Sequence, residues 1–267
     1  MHPDHPLAKA YDMRSSNTNN LSRTRDIARV AQGYIDAGHF ASIEWLIKQR
    51  GEVVDAGSVL SDETPVPLND RPIYRIYSMT KPIIAAAAVI LMERFRLHLF
   101  TPLGSILPEF QDMEVLNADG STESAVPILI EHLFTHRAGF SYNFIPDCPV
   151  GALYLSDGLV NDGSCSLEDF AKRASAFPLA FQPGQRWHYS IGHDILARVL
   201  EVVSGQPLGK LLQHEVFDPL GMTDTQFFVP ENERSRLMPM YGRSLDEILQ
   251  SPDMHAMLNP FDVADAY

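Results

Sequence analysis

The chain has 267 residues, 45% of them hydrophobic and 21% charged, enough to bury a sizeable core as one large or two small domains. Lys and Arg total 21 against 34 Asp and Glu, a formal net charge of −13, with no cluster of basic residues. That balance argues against nucleic acid as a partner, because phosphate binding needs a basic face.

Residues 1–20 are polar and read as a flexible leader without the apolar core of a signal peptide. The longest apolar run, Ile83 to Met92, is ten residues and too short to span a bilayer, so no membrane association is expected and the location is expected to be cytoplasmic. Cys148 and Cys165 make neither a disulfide framework nor a metal site, and two thiols are expected rather than a bridge.

From Ser22, the residues Ile27, Val30, Ala31, Tyr34 and Ile35 fall at helical spacing, and Gly38 predicts the end of that helix. Two strand-like runs follow, Ser42 to Lys48 and Glu52 to Gly57, separated by Arg50-Gly51. Ile43, Trp45 and Ile47 alternate with Ser42, Glu44 and Leu46, which predicts a hairpin. Thr64 to Pro72 is a proline-rich connection. An apolar helix is predicted from about Ser78 to Arg94, with Pro82 in its first turn, where the missing N–H costs little. Its apolar residues run all round, which predicts full burial.

Pro102, Gly104 and Pro108 break the chain into short pieces, and Ile128 to Phe134 reads as helical. Ser141 to Ser164, rich in Gly, Pro and Asp, reads as a long loop suited to facing a substrate. Ser166 is a predicted N-cap, Gln182-Pro183-Gly184-Gln185 a turn, and Asp194 to Ser204 an amphipathic helix closed by Gly205. Leu208 to Phe217 is a further helix ending at Asp218-Pro219, and Ser244 to Leu249 the last helix-like piece.

Ser78 and Lys81, three apart, share a helix face about one turn apart if the helix starts there. Serine is a poor nucleophile until a base takes its proton, and a desolvated amine can serve, since burial disfavours an ammonium. Taken alone the pair is a weak signal, because Ser and Lys are common and Ser78 as a simple helix N-cap is the favoured reading.

Three stretches together raise that weight. They are Ser78-Met79-Thr80-Lys81, then Leu133-Phe134-Thr135-His136-Arg137-Ala138-Gly139, then Pro183 to Ser190 running on through Val203-Ser204-Gly205 to Phe217-Asp218-Pro219-Leu220-Gly221-Met222. In this order, across roughly Ile43 to Phe228, they resemble the serine β-lactamase-like hydrolases: class C β-lactamases, the related family VIII esterases, and DD-peptidases. By that match Tyr189 falls on the first residue of the family's Tyr-x-Asn motif, and the resemblance implies that Tyr189 and Lys81 share proton transfer to and from Ser78. Read from the residues alone, Tyr189 is an aromatic core residue.

Two departures qualify the match. Ile191 stands where β-lactamases and peptidases carry Asn, which points toward the esterase branch. No Lys-Thr-Gly or His-x-Gly triplet follows Tyr189, so the family's late strand, which donates to the oxyanion, is expected to be missing, as are strands that would pair with Ser42 to Gly57. A truncated product, a fragment or half of a split pair is the expectation.

Competing sites are weaker. His188, His193 and Asp194 suggest a Ser-His-Asp triad, but no Gly-x-Ser-x-Gly elbow exists. His132 and His136 are four apart, without a third metal ligand at matching spacing. His136 is expected to hold its own loop, and Asp157, Asp162, Glu168 and Asp169 to be solvated surface.

The sequence therefore predicts an α/β (α+β) fold of β-lactamase/transpeptidase type, with one domain over 21–267 whose mostly helical part is 85–225. The resemblance implies a serine hydrolase acting through an acyl-enzyme, with Ser78, Lys81 and Tyr189 catalytic and no cofactor or metal. Small esters are the expected substrates, β-lactam or DD-peptide amides the same-class alternative, and a non-catalytic fragment or binding module the alternative of another class. The remaining partners are a small ester or amide, another copy of the chain, or a complementing C-terminal fragment.

Overall fold

In the first helix, α1 (Leu21–Asp36), Ala31 and Ile35 lie one turn apart and are the buried pair, packed mainly against the second strand of the hairpin that follows. The computed structural model describes residues 21–61, 71–160, 163 and 165–238, and for 21–25 the backbone alone. The leader 1–20, residues 64–70 of the connection, Asp162, the piece 244–249 and the chain's last residues lie outside the described residues. Contacts divide the chain into two units; of the described residues one holds 21–75 and 230–238, the other 76–229.

In the first unit the stripe on α1 is narrower than predicted. Val30 and Tyr34 are 51% and 50% exposed, because the helix meets its neighbour along a single line. Strands β1 (Ser42–Gln49) and β2 (Glu52–Leu60) pair antiparallel around Arg50 and Gly51, whose φ values of 53° and 87° give the doubly left-handed turn that matches strand twist. A bulge after Ile47 shifts the register, and Trp45 lies flat over Gly57 while its Nε1 donates to Asp55 at 3.0 Å. The period-two pattern predicts one covered face. Only Ala56 is fully buried, and Leu46 and Ile47 stand exposed, since a two-stranded ribbon covered at one end leaves its tip in solvent.

The second unit is built on helix α2 (Thr80–Glu93), with Ile84, Ala87, Ala88 and Leu91 buried. The all-round apolar pattern predicted full burial, but Pro82, Ala86 and Val89 are exposed. The helix is packed along one side only among the described residues. Two short 3₁₀ turns, Leu103–Ser105 and Pro108–Phe110, follow the predicted breaks. A small hairpin that the sequence did not suggest, β3 (Glu114–Leu116) with β4 (Thr122–Ser124), comes next, and β3 also bridges Leu179.

Helix α3 (Ile130–Phe134) begins two residues later than expected, with His132 Nδ1 accepting from the Leu129 N–H at 3.1 Å. The predicted loop 141–164 contains a helix, α4 (Pro149–Asp157), which corrects that reading. Pro149 starts it, Gly158 at φ 71° ends it, and Val150 and Tyr154, one turn apart, are buried. Helix α5 (Leu167–Ser175) is capped by Ser166, whose Oγ accepts from the Asp169 N–H at 3.0 Å.

The amphipathic helix α6 (Gly192–Ser204) is the hub, touching α2, α3, α5 and the next helix, α7 (Leu208–Leu212). Burial of Ile195, Leu196, Val199 and Leu200 contributes roughly 1.5–3 kcal/mol each. Beyond α7 a wide π turn, Gln213–Phe217, leads into a short turn, α8 (Asp218–Leu220). Asp218-Pro219 therefore opens a further turn directly after the π turn, with the proline in its first turn where the missing N–H costs little, and Gly221 at φ 64° ends it.

Cys148 and Cys165 are not joined by a disulfide. Asp157, Glu168 and Asp169 are exposed, as expected of solvated surface, and two of them form surface ion pairs: Asp157 with Arg173 at 2.8 Å, and Glu168 with both Lys172 and Arg198. No helix among the described residues is long and apolar enough to cross a membrane.

Candidate active site

Ser78 occupies a single 3₁₀ turn, Tyr77–Met79, that runs directly into α2. The residue before it, Tyr77, has φ of 42°, a left-handed conformation costing a bulky side chain on the order of 1–2 kcal/mol. Ser78 is exposed. It is not the cap of α2; that position belongs to Met79, and no side chain caps the helix start. The bland reading of the serine therefore fails.

The Ser78 Oγ lies 2.6 Å from the Tyr189 Oη and 3.4 Å from the Lys81 Nζ. The three residues singled out in the sequence meet at one point, with 111 positions of chain between the serine and the tyrosine. Lys81 is half-buried, and its Nζ sits over the rings of Tyr189 and Tyr142, 4.9 and 5.3 Å from their centroids.

Two residues that the sequence did not assign to the site complete this arrangement. Lys81 Nζ donates to the Tyr142 Oη at 3.1 Å, and that hydroxyl donates in turn to the Asp194 carboxylate at 3.2 Å. Tyr142 is 8% exposed and stacks on Phe144, with rings 4.9 Å apart. Burial pushes the Asp194 carboxyl up from its ordinary value, while Lys81 and the Tyr142 hydroxyl pull it down. The lysine amine is thus held between the serine on one side and a tyrosine–aspartate pair on the other.

Behind Tyr189 stand three histidines. His136 Nδ1 accepts from the Ser190 N–H at 3.2 Å, and its ring lies 4.8 Å from both Tyr189 and His193. His188 Nε2 is 2.9 Å from the Ser141 Oγ. Burial first, then the charge of Lys81, then His188 bring His136 down to about 4; burial, His136 and Lys81 do the same for His193. Both are neutral at pH 7. The hydrogen bonds of Ser78 run to Tyr189 and Lys81, so the histidines form no triad with it. Asp194, considered for that triad, serves Tyr142 instead.

His132 and His136 turn to separate partners, and no group of three or more His, Cys, Asp or Glu among the described residues is placed to hold a metal ion. Ile191 is fully buried in the core and gives the site no polar group.

The family model described as Beta-lactamase matches residues 27–259. The chain belongs to the beta-lactamase family. It is 34% identical to Esterase EstB of Burkholderia gladioli over 195 residues, 71% of this chain and 47% of that protein. It is 34% identical to the Lovastatin esterase of Penicillium rubens over 187 residues, 67% of this chain and 45% of that protein. The fold matches the solved structure of EstCE1, described as a hydrolase with promiscuous acyltransferase activity, at a TM-score of 0.72 and 30% identity, covering 84% of this chain and 58% of that one. The chain spans about half the length of the curated relatives it matches. Its mixed helices and strands have the β-lactamase/transpeptidase-like fold.

Proposed function

We propose that this chain is a serine hydrolase that cleaves small carboxylic esters through an acyl-enzyme on Ser78. The observation that carries the reading is the Ser78 Oγ held 2.6 Å from a tyrosine hydroxyl and 3.4 Å from a lysine amine, in a family whose named relatives include esterases. Ser78 attacks the ester carbonyl as Lys81 takes its proton. The tetrahedral intermediate collapses as the C–O bond to the alcohol breaks, and Tyr189 relays the proton to the leaving alkoxide. Water then attacks the acyl-serine, loses a proton to the same pair, and returns the serine hydroxyl with release of the acid. The Ser78 N–H is the proposed first oxyanion donor.

Tyr142 and Asp194 keep the lysine aimed. A hydrogen bond to a charged group is worth about 1.5–3 kcal/mol, so this link accounts for roughly tenfold to hundredfold in rate.

The decisive measurement is turnover of p-nitrophenyl butyrate by the 267-residue chain beside Ser78→Ala, with intact-mass detection of a butyryl adduct. The expected outcome is a Ser78-dependent adduct and a fall in kcat of more than about 10³ in the mutant. A folded chain with neither adduct nor turnover contradicts the reading, and nitrocefin turned over faster than short esters would move it to the β-lactam branch.

A further inference from the structure

We propose that His136 is the positioning residue for Tyr189, clasping the segment that carries the tyrosine at three consecutive residues. The inference rests on the reading of Tyr189 as the proton carrier for Ser78, and goes beyond it by naming what fixes that hydroxyl in place.

Residues 186–190 belong to no helix or strand, so no regular hydrogen-bond ladder sets where the Tyr189 ring points. One residue does the work of such a ladder. The His136 carbonyl accepts from the His188 N–H at 2.8 Å, its ring packs 4.8 Å from the Tyr189 ring, and its Nδ1 accepts from the Ser190 N–H at 3.2 Å. The Ser190 Oγ lies 3.3 Å from the same nitrogen and accepts from the Gly192 N–H at 3.4 Å, which ties the clasp to the first residue of α6. Ser190 is fully buried, so water cannot replace these bonds.

The residue type follows from the geometry. At φ 53°, His136 is in the left-handed region, which His, Asn and Asp tolerate better than other side chains. That conformation lets the carbonyl and the side chain reach the same strip of chain from one Cα. Nδ1 must be an acceptor, so the ring is neutral with its proton on Nε2. The groups that face it are Lys81, His193, His188 and the rings of Tyr189 and Trp187; burial first, then Lys81, then His188 oppose its protonation.

The test uses His136→Asn, which keeps an acceptor and tolerates the left-handed backbone, against His136→Phe, which keeps a ring and loses the acceptor. Two readouts are taken for each: kcat and KM on p-nitrophenyl butyrate, and the ring ¹³C resonance of Tyr189 in tyrosine-labelled protein, assigned with Tyr189→Phe. The expected result is a tenfold to hundredfold fall in kcat for His136→Phe with KM within about threefold, most of it restored in His136→Asn, and a Tyr189 resonance that moves in both variants, through the changed ring current, and moves further in the phenylalanine variant. A resonance that moves no further in His136→Phe than in His136→Asn, or equal loss in both variants, overturns the proposal. If His136→Phe does not fold, Ser190→Ala removes one donor to Nδ1; a shifted Tyr189 resonance then supports the clasp and an unshifted one overturns it. Because the resonance does not depend on turnover, an inactive chain would refute the catalytic reading and still decide this one.

Discussion

Ser78 has two partners of different kinds, and their separate removal distinguishes the role of each. The tyrosine–aspartate pair behind Lys81 touches the amine and not the serine, so its loss should be felt through the lysine alone. Tyr142→Phe is expected to lower kcat on p-nitrophenyl butyrate by about tenfold to hundredfold, with KM changed less than about threefold. Asp194→Asn keeps an acceptor for the Tyr142 hydroxyl and should cost less. Steady-state kinetics on the two variants checks this; a larger effect on KM than on kcat would show the pair to be a substrate contact. Neither residue was legible as part of the site. Tyr142 sits in a stretch that reads as loop, Asp194 beside a histidine that suggests another chemistry, and the 52 positions between them carry no periodic signal.

Among the elements, a close constraint combined with a left-handed backbone lies at Gly139, which closes the Thr-His segment carrying His136. Its φ is 91°, and a Cβ there would come 2.6 Å from the Phe181 carbonyl oxygen and 2.9 Å from the Leu179 Cβ. Neither neighbour is the free end of a flexible chain. Gly139→Ala is expected to destabilise by about 3 kcal/mol or more, lowering Tm by roughly 6–12 °C in calorimetry, and a drop under about 1 °C would contradict the packing described. The helix ends were largely legible, because capping is local chemistry: Ser166 before α5, Gly205 after α6 and the Arg50-Gly51 turn all lie where the sequence puts them. Helix α4 carried the same signals, Pro149 at its start and Gly158 at its end, but its polar, glycine-rich surroundings masked them. The exposed side of α2 escaped the sequence for another reason. Periodicity reports what a helix can bury, and the presence of a neighbour decides what it does bury.

For the whole molecule, the buried histidines make stability depend on pH. His136 and His193 titrate near 6.5 when unfolded and at about 4 in the folded chain, so between those values the unfolded state binds more protons. Stability is therefore fully present above about pH 6.5 and falls as the solution is acidified towards 4. Asp194, raised by burial, acts in the opposite sense, and the acids held low by their partners, such as Glu215 beside Arg94, lose their contribution only below the usual carboxylate range. Between about pH 6.5 and 5 the histidines dominate. Tm is expected to fall by several degrees over that window, and the slope to be smaller in His193→Gln. A flat Tm over the window would show that the two rings are not held neutral.

The amino-acid sequence determined the hairpin and most helix boundaries through caps and spacing, and the order of three motifs, by their resemblance to a family, pointed to Ser78, Lys81 and Tyr189. Each of those signals is short in range or fixed in form, and so survives in a single chain read end to end. Only the tertiary structure decided that Tyr142 and Asp194 hold the lysine, and that His136 grips the tyrosine's segment from a loop 54 positions away. Such contacts are single polar pairs across long separations. Their energy comes from burial and direction, and the fold alone sets both.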